Sequence, residues 1–295
     1  MKLTRILPSF PGGRVKAFTA SYDDGVKQDL RLMKIFSENS IKCTYNLNSG
    51  ITSDKINGDT LRLPYSELSF HYAKDGNEVA VHCDSHPVTG DIPLSALVEE
   101  VLADRKSFEE TFGTLVRGMA YPYGSVPDER GIEMLKSIGI TYARTTVSTH
   151  GFDLPSEPLK LDPTCHHNDP ELFDLLDRFL SEDVTIFKKP IMFYLWGHAY
   201  EFDTENNWDR IEEFSKKIGN RSDIWYATNS EIIDYMSAYK NLIFSADGLT
   251  VVNPTATEIF LRATLFDNGR FTDVFPSVKP GETVRLADLA EDKRK

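Results

Sequence analysis

Residues 78–90 read EVAVHCDSHPVTG, a short apolar run followed at once by two histidines, His82 and His86. The run 79–81 has the composition of a buried strand, so the histidines stand where that strand ends. Their i, i+4 spacing points both imidazoles to the same side of one turn of helix or of a helix-like loop. Two nitrogen ligands on one side suit a divalent cation, and the stretch therefore predicts half of a metal site.

A carboxylate pair further upstream can complete this site. Residues 17–25 read AFTASYDDG, an apolar and β-prone run that ends in Asp23, Asp24 and Gly25. An Asp-Asp-Gly sequence alone favours a turn, and a histidine pair alone is about as often structural as ligating. Together they offer one carboxylate that binds a cation and one that takes a proton. Coordination positions stay open to water and substrate, as in a catalytic metal site.

Strand-like and helix-like segments alternate along most of the chain. The strand-like runs are 15–21, 42–47, 79–81, 118–121, 140–143, 190–196 and 224–227, and the helical patterns are 27–36, 94–112, 128–138, 170–181, 207–217 and 229–239. This alternation predicts parallel strands with right-handed crossovers, in either a barrel of seven or eight βα units or an open doubly wound sheet. Every candidate functional residue follows a strand, and such ends converge at the C-terminal mouth of a barrel, so we expect an α/β barrel.

From about residue 240 the sequence changes to short β-prone segments separated by Asp-Gly, Asn-Gly and Pro-Gly turns. The segments are 242–246, 250–253, 257–265, 271–275 and 283–286. We therefore expect two units, a barrel over residues 1–238 and a small β-rich appendage without helices over residues 239–295. No cluster of catalytic side chains lies in the appendage, and packing is its expected role.

The composition describes a globular protein and disfavours several partners. A chain of 295 residues suits one sizeable barrel domain. No run of about 18 apolar residues is present, so we expect no transmembrane helix. The formal net charge of -12 disfavours nucleic acid and anionic membranes and favours a neutral or cationic substrate. The sequence leaves the oligomeric state open.

The cysteines and the N-terminus bear on the compartment. Cys43, Cys83 and Cys165 are odd in number and have no CxxC spacing, which argues against a disulfide framework and fits a reducing compartment. The apolar stretch near the N-terminus is interrupted by polar residues and by Pro8, which leaves no signal-peptide core. We expect a cytoplasmic protein for the chain as given, unless a leader has been removed.

Four short motifs, taken in order, resemble the successive motifs of the polysaccharide deacetylases, carbohydrate esterase family 4. They are residues 21–25 (SYDDG), 82–86 (HCDSH), 121–124 (YPYG) and 195–198 (LWGH). Each motif is short, and their order and spacing over about residues 15–230 carry the resemblance. It implies a distorted (β/α) barrel, often with seven strands, and a divalent metal, with Zn²⁺ expected first and Co²⁺ or Ni²⁺ as alternatives.

The resemblance also implies roles for the residues of the first two motifs. It implies that Asp23 acts as a general base and that Asp24 binds the metal together with His82 and His86. Such a cation polarises an acyl carbonyl and lowers the pKa of its bound water, which supplies a nucleophile near neutral pH.

Residues of the later motifs are candidates for proton delivery and substrate binding. His198 follows the apolar run 190–196 and can protonate a leaving group, because imidazole titrates near neutral pH. A lone histidine is more often structural, and the accompanying motifs favour catalysis here. Tyr123 occupies the position whose backbone N–H helps stabilise the oxyanion in the family. Trp196 and Tyr200 flank His198 and are candidates to stack on a sugar.

The chain departs from the family pattern around the partner of Asp23. The family usually has an arginine two positions before the motif proline, where it orients the catalytic aspartate, and this chain has Ala120 there. The Asp-rich motif of the family is not recognisable between residues 144 and 170. We hypothesise that Arg144, in the stretch TYARTT, projects to the same mouth, replaces the missing cation and contributes to the substrate site.

The region 147–170 is rich in Pro and Asp and predicts a long loop that shapes specificity. It contains His150, His166 and His167. Two adjacent histidines present their rings to one ion less easily than an i, i+4 pair, so we do not expect His166 and His167 to be metal ligands.

These observations predict a metal-dependent hydrolase that removes acetyl groups from an acetylated carbohydrate, first of all an N-acetylated one, by cleaving a non-peptide carbon-nitrogen bond. Two alternatives stay open. The same barrel can hydrolyse a non-sugar amide or a cyclic imide, because the altered arginine position loosens the link to the family mechanism. The chain can also be a carbohydrate-binding barrel without turnover.

Overall fold

The computed structural model describes residues 1–72 and 74–293. The strands are β1 (Lys2–Ser9), β2 (Lys16–Asp23), β3 (Thr44–Leu47), β4 (Glu78–Val81), β5 (Gly118–Ala120), β6 (Tyr142–Arg144), β7 (Cys165–His166), β8 (Ile191–Gly197), β9 (Ile224–Tyr226), β10 (Ile243–Phe244), β11 (Thr250–Val252), β12 (Ile259–Asp267), β13 (Arg270–Val274), β14 (Ser277–Val278) and β15 (Thr283–Arg285). The α-helices are α1 (Asp29–Glu38), α2 (Tyr65–Tyr72), α3 (Leu94–Phe112), α4 (Glu129–Ser137), α5 (Leu172–Ser181), α6 (Glu201–Thr204), α7 (Trp208–Ile218), α8 (Asn229–Lys240) and α9 (Leu286–Asp292).

Parallel strands form a distorted barrel in the order β6-β5-β4-β3-β2-β8-β7. The segment 161–166 links the two ends of this order. Leu161 forms a parallel bridge with Arg144 of β6, and four residues later Cys165 of β7 pairs with Leu195 of β8. Strand β9 pairs with the first half of β2. The predicted distorted α/β barrel is confirmed.

The two longest strands of the barrel are buried along their whole length, because helices cover the outside of the sheet and side chains fill the inside. Every residue of β2 and of β8 is buried. A strand that is buried on both faces has a nearly continuous apolar sequence, so these two strands could be recognised from the sequence. The interior is rich in aromatic rings: Phe18 contacts both Phe193 and Phe214 at centroid distances of 6.1 and 5.8 Å.

The C-terminal segment packs under the N-terminal end of the barrel. Strand β1 pairs antiparallel with β12, which also pairs with β13 and β14, and β10, β11 and β15 form a second small sheet. Side chains of the barrel and of this segment share one apolar cluster that includes Tyr142, Tyr194 and Leu261. The predicted division at residue 238 stays a prediction, and in the structure β1 lies in the sheet of the C-terminal segment.

One prediction for the C-terminal segment is wrong, and one strand at the N-terminus was not predicted. The expectation of an appendage without helices fails at α9, which packs Leu286 and Ala290 into the shared cluster. The N-terminal residues were not expected to form a strand, yet Lys2–Ser9 do, through pairing with a strand about 260 residues away.

Two further observations concern the membrane and the cysteines. In the described part of the chain, no helix is long and apolar enough to cross a membrane. Cys43, Cys83 and Cys165 are buried free thiols, in agreement with the absence of a disulfide framework that the sequence predicts.

Candidate metal and hydrolytic site

A cavity of about 610 Å³ opens at the C-terminal mouth of the barrel, where the polar ends of the parallel strands meet. Its lining comprises Asp23, Asp24, Leu61, Arg62, His82, His86, Tyr121, Tyr123, Thr146, Trp196, His198 and Tyr200. It thus contains all of the residues singled out in the sequence as catalytic or metal-ligating. Of the predicted substrate residues, Tyr123 and Trp196 line it, and Arg144 is buried behind it.

The two histidines of the second motif direct their Nε2 atoms at the same point. His82 directly follows β4, and its Nδ1 lies 2.9 Å from the carbonyl oxygen of Ala120. Because a carbonyl only accepts, Nδ1 carries the proton and the Nε2 lone pair faces the cavity. His86 has a φ of +58°, which turns its side chain back toward the site. Its Nε2 lies 3.1 Å from that of His82.

Asp24 supplies the oxygen that completes this group. Its φ of +79° is rare for a residue with a side chain and turns its carboxylate toward the histidines rather than along the strand. Asp24 Oδ1 lies 3.9 Å from His82 Nε2 and 3.7 Å from His86 Nε2. This oxygen is buried and has no hydrogen-bond partner among the residues that the structure describes. A buried oxygen anion without a donor is costly, and a divalent cation among these three atoms removes that cost, so the residues fit a metal.

The protonation state of His86 also suits a ligand. Burial and the neighbouring imidazole of His82 lower the pKa of His86 to about 4. The ring is therefore neutral near pH 7, and a neutral imidazole offers the lone pair that metal binding requires.

Asp23 is held behind this group by hydrogen bonds and an ion pair. Asn46 Nδ2 donates to Asp23 Oδ1 over 2.8 Å, and the guanidinium of Arg144 forms a short ion pair with Oδ2. Burial alone would raise the pKa of Asp23, but the charges of Arg144, His82 and His198 and the Asn46 bond hold it below its usual value. Asp23 is therefore ionised although it is buried.

Arg144 lies where the sequence hypothesis needs a cation. It ends β6, is fully buried, and stacks its guanidinium on the ring of Trp196 at 4.4 Å from the centroid. Trp196 is only 9% exposed, so the ring face that contacts Arg144 is not free for a sugar. The contact that the structure gives Trp196 is support of the arginine, and its stacking on substrate stays a prediction.

His198 and Tyr123 lie on different sides of the cavity. His198 follows β8, with Nε2 at 3.8 Å from Asp23 Oδ2 and Nδ1 at 3.3 Å from Glu201 Oε1. Burial would lower the pKa of His198, but Glu201 and Asp23 raise it above the usual value. Tyr123 is 69% exposed on the rim, with its ring centroid 4.5 Å from that of His86.

Comparison with known proteins finds one family model that matches part of the chain. The family model described as polysaccharide deacetylase matches residues 12–143. Residues 12–143, a little less than half of the chain, are thus similar to polysaccharide deacetylases. This match supports a deacetylase that acts on a carbohydrate. Among curated proteins, none matches the chain significantly.

One solved structure resembles this chain in fold, and two others are less similar to it. A Mycobacterium smegmatis protein described as a polysaccharide deacetylase has 15% identity and a TM-score of 0.58, with coverage of 81% of this chain and 96% of that one. The chitin deacetylase of Colletotrichum lindemuthianum has 16% identity, a TM-score of 0.49 and coverage of 79% and 89%. The Bacillus subtilis peptidoglycan deacetylase PdaC has 17% identity, a TM-score of 0.48 and coverage of 78% and 96%.

The site also contains residues to which the sequence analysis assigned no role. Asn46 is the last residue but one of β3 and donates to Asp23, and Asp104 of α3 accepts the backbone N–H of His82. Arg62 reaches the cavity from the loop between β3 and α2, where Asp59 pairs with it at 3.1 Å. Asn46 follows the same strand-end pattern as the motif residues and could have been found. The other two depend on long-range packing.

A second cluster of titratable side chains surrounds Glu201. The Nε2 atoms of His166 and His167 lie 3.0 and 3.1 Å from the same oxygen, Oε2 of Glu201. The expectation that these two histidines are not metal ligands stays a prediction. The rings converge because β7 ends at His166, so the two residues do not follow the alternation of a regular strand.

Proposed function

We propose that this protein is a metal-dependent deacetylase that hydrolyses the acetamide group of an N-acetylated carbohydrate. The observation that carries the proposal is the convergence of Asp24, His82 and His86 beside the ionised Asp23. Their ligand atoms all lie within 4.8 Å of one another, on a wall of the cavity that Asp23 and His198 also line.

Asp24 Oδ1, His82 Nε2 and His86 Nε2 would hold the divalent cation. One carboxylate and two imidazoles suit Zn²⁺, with Co²⁺ and Ni²⁺ as alternatives that accept the same donors. When bound, the cation polarises the acyl carbonyl and makes water a stronger acid. His82 is fixed for this role by three hydrogen bonds: Leu47 O and Asp104 Oδ2 accept its backbone N–H, and Ala120 O accepts its Nδ1–H.

Asp23 would act as the general base. It is ionised and held on both oxygens, by Asn46 and by Arg144, so its position is fixed before substrate arrives. Its Oδ2 lies 3.9 Å from His82 Nε2, which places it next to the ligand group and within reach of a water molecule there.

His198 would act as the general acid that protonates the leaving nitrogen. The raised pKa of His198 favours the imidazolium form that this step needs. His198 Nε2 and Asp23 Oδ2 are 3.8 Å apart. At this distance the base can take a proton from the attacking water while the acid protonates the leaving nitrogen of the same amide. An amine is a poor leaving group until it is protonated, so a well-placed acid favours an N-acetyl over an O-acetyl substrate.

The rim of the cavity would bind the sugar and the developing oxyanion. Tyr123 and Tyr200 expose ring surface at the mouth, and aromatic faces are common partners of sugar rings. Tyr123 has a φ of +57° in the turn after β5, and we assign its backbone N–H to the oxyanion by the family resemblance.

The alternative of a non-sugar amide or cyclic imide has less support than it had from the sequence. It was motivated by the absence of an arginine at Ala120. Arg144 contacts Asp23 directly, which supports the ordinary role of that aspartate.

The test is acetate release from chitooligosaccharides, from peptidoglycan fragments and from acetylxylan. We expect release from an N-acetylated substrate, loss of release after chelation, and recovery with Zn²⁺ or Co²⁺. No release from any of the three by metal-loaded protein would overturn the proposal. Release from acetylxylan alone would overturn its N-acetyl specificity.

A further inference from the structure

The carboxylate of Glu201 is the centre of a cluster of three imidazoles. Its Oε2 lies 3.0 Å from His166 Nε2 and 3.1 Å from His167 Nε2, and its Oε1 lies 3.3 Å from His198 Nδ1. Burial would raise the pKa of Glu201, but the three histidines hold it far below its usual value, so the group is an anion. The proposed roles of the cavity residues use His198 but not Glu201, His166 or His167.

The hydrogen bonds of His166 indicate that the cluster is not a cation site. His166 Nδ1 accepts the backbone N–H of Asn168 over 3.1 Å. A neutral imidazole has a single lone pair, so the proton of His166 is on Nε2, which lies 3.0 Å from Glu201 Oε2. A cation could bind Nε2 only if the proton moved to Nδ1, and Nδ1 already accepts the backbone N–H of Asn168.

His167 makes the position of the carboxylate rigid. It is fully buried and is stacked between the rings of Tyr22 and Phe202, at centroid distances of 5.7 and 4.1 Å. Burial lowers its pKa to about 4 although Glu201 acts in the opposite direction, so the ring is neutral. Glu201 itself begins α6, only three residues after His198.

We propose that Glu201, held by His166 and His167, is the positioning residue of His198: it accepts the Nδ1–H and leaves Nε2 facing Asp23 and the substrate. The inference rests on the proposed function, in which His198 is the general acid. A carboxylate on the far nitrogen of a histidine fixes its tautomer and stabilises its cationic form. The charged and titratable groups around His198 are Asp23, Asp24, Glu201, His166, His167 and Tyr200.

The first test is the titration of His198 by ¹⁵N NMR of the imidazole nitrogens, which needs no substrate. In the unaltered protein we expect Nδ1 to stay protonated and the ring to titrate above 6.5. In E201Q the titration should fall by about one pH unit or more, because an anion beside the ring is lost. E205Q is the matched control: Glu205 is exposed just after the same short helix and should leave the titration unchanged.

The second test is the pH profile of acetate release. Because His198 must be protonated, the basic limb of kcat/KM should move to lower pH in E201Q, and kcat should fall about 10- to 100-fold with little change in KM. E201D, which keeps the charge, should recover part of both effects. Elemental analysis should find one equivalent of zinc in both E201Q and the unaltered protein.

Three results would overturn the inference. The first is a His198 that titrates at or below 6.5 in the unaltered protein, a measurement that does not depend on the folding of any variant. The second is an E201Q variant that folds and titrates like the unaltered protein. The third is a second zinc equivalent that E201Q removes. If the titrations hold and no substrate is deacetylated, the proposed function fails while the Glu201–His198 pair stands.

Discussion

Asp23 and Asp24 are adjacent in sequence and differ in chemistry because the backbone turns between them. Asp23 still belongs to β2 and points to Asn46 and Arg144, whereas the positive φ of Asp24 directs its carboxylate to the histidine pair. The carboxylate of Asp23 therefore has strong hydrogen-bond donors, whereas Oδ1 of Asp24 has no donor in the described part of the chain. The first suits proton transfer and the second suits a cation.

The ion pair between Arg144 and Asp23 leads to a prediction for R144A. Removal of the guanidinium takes away a charge that lowers the pKa of Asp23, so that pKa should rise. A base must be ionised to act, and the acid limb of kcat/KM should therefore move to higher pH. We expect turnover to fall about 100-fold, with bound zinc retained.

R130A is the control for this measurement, because Arg130 is exposed on α4 and should tolerate the change. Zinc content is measured on the same samples. Unchanged turnover in R144A, or an acid limb that does not move, would reject the role of Arg144. Loss of zinc would show that the arginine supports the ligands instead.

The ends of the strands determine the site, and β8 shows how closely they pack. Gly197 is the last residue of β8, and a Cβ atom there would fall 1.9 Å from Nδ1 of His167. The ring of His167 cannot move away easily because Tyr22 and Phe202 hold it from both sides. Only a glycine leaves room for the histidine that supports Glu201.

G197A should therefore disturb the Glu201 cluster. We expect a loss of about 1–3 kcal/mol in the free energy of unfolding, measured by denaturant titration, together with a lower His198 pKa. G151A is the matched control, since the nearest atom to its Cβ lies at an ordinary contact distance of 3.9 Å. A G197A variant as stable as G151A would contradict this description of β8.

The elements of the barrel were predictable from sequence because their signals are local. Buried parallel strands are apolar runs, and α5 and α7 have strongly one-sided faces. Strand β1 was missed because its partner β12 is far away in the chain. A pattern read over about ten residues cannot include that partner. Helices α2 and α6 were also missed, since they are short and pack at the mouth of the barrel.

The same distinction applies to the site. Asp24, His82 and His86 follow strands and recur in motif order, so their meeting could be predicted. Arg144 could be reached only as a hypothesis, because its contact with Asp23 depends on the curvature that brings β6 near β2. The pairing of Glu201 with three imidazoles depends on where α6 begins and where β7 ends, and no sequence pattern specifies that.

At the scale of the whole molecule, the barrel and the C-terminal segment share buried side chains. Leu261 of β12 lies 1% exposed in the cluster that also contains Tyr142 and Tyr194 of the barrel. Strand β1 also connects the C-terminal segment to the barrel. It pairs with β12 by hydrogen bonds, and the chain continues from β1 through a short connection into β2 of the barrel. We therefore expect the two parts to unfold together.

L261A tests this expectation. Removing the side chain should cost about 2–5 kcal/mol of unfolding free energy. Tryptophan fluorescence, which reports on the barrel, and far-ultraviolet circular dichroism should lose signal at the same denaturant concentration. F271A, at a residue 64% exposed on β13, should cost little. Two separate transitions in L261A would show that the barrel folds independently of the C-terminal segment.

Anomalous diffraction at the zinc edge, on a crystal of the zinc-loaded protein, tests the central claim most directly. We expect one strong peak among Asp24 Oδ1, His82 Nε2 and His86 Nε2, beside Asp23, and none at the Glu201 cluster. A peak at His166, His167 and Glu201, or no peak at Asp24, His82 and His86, would contradict it.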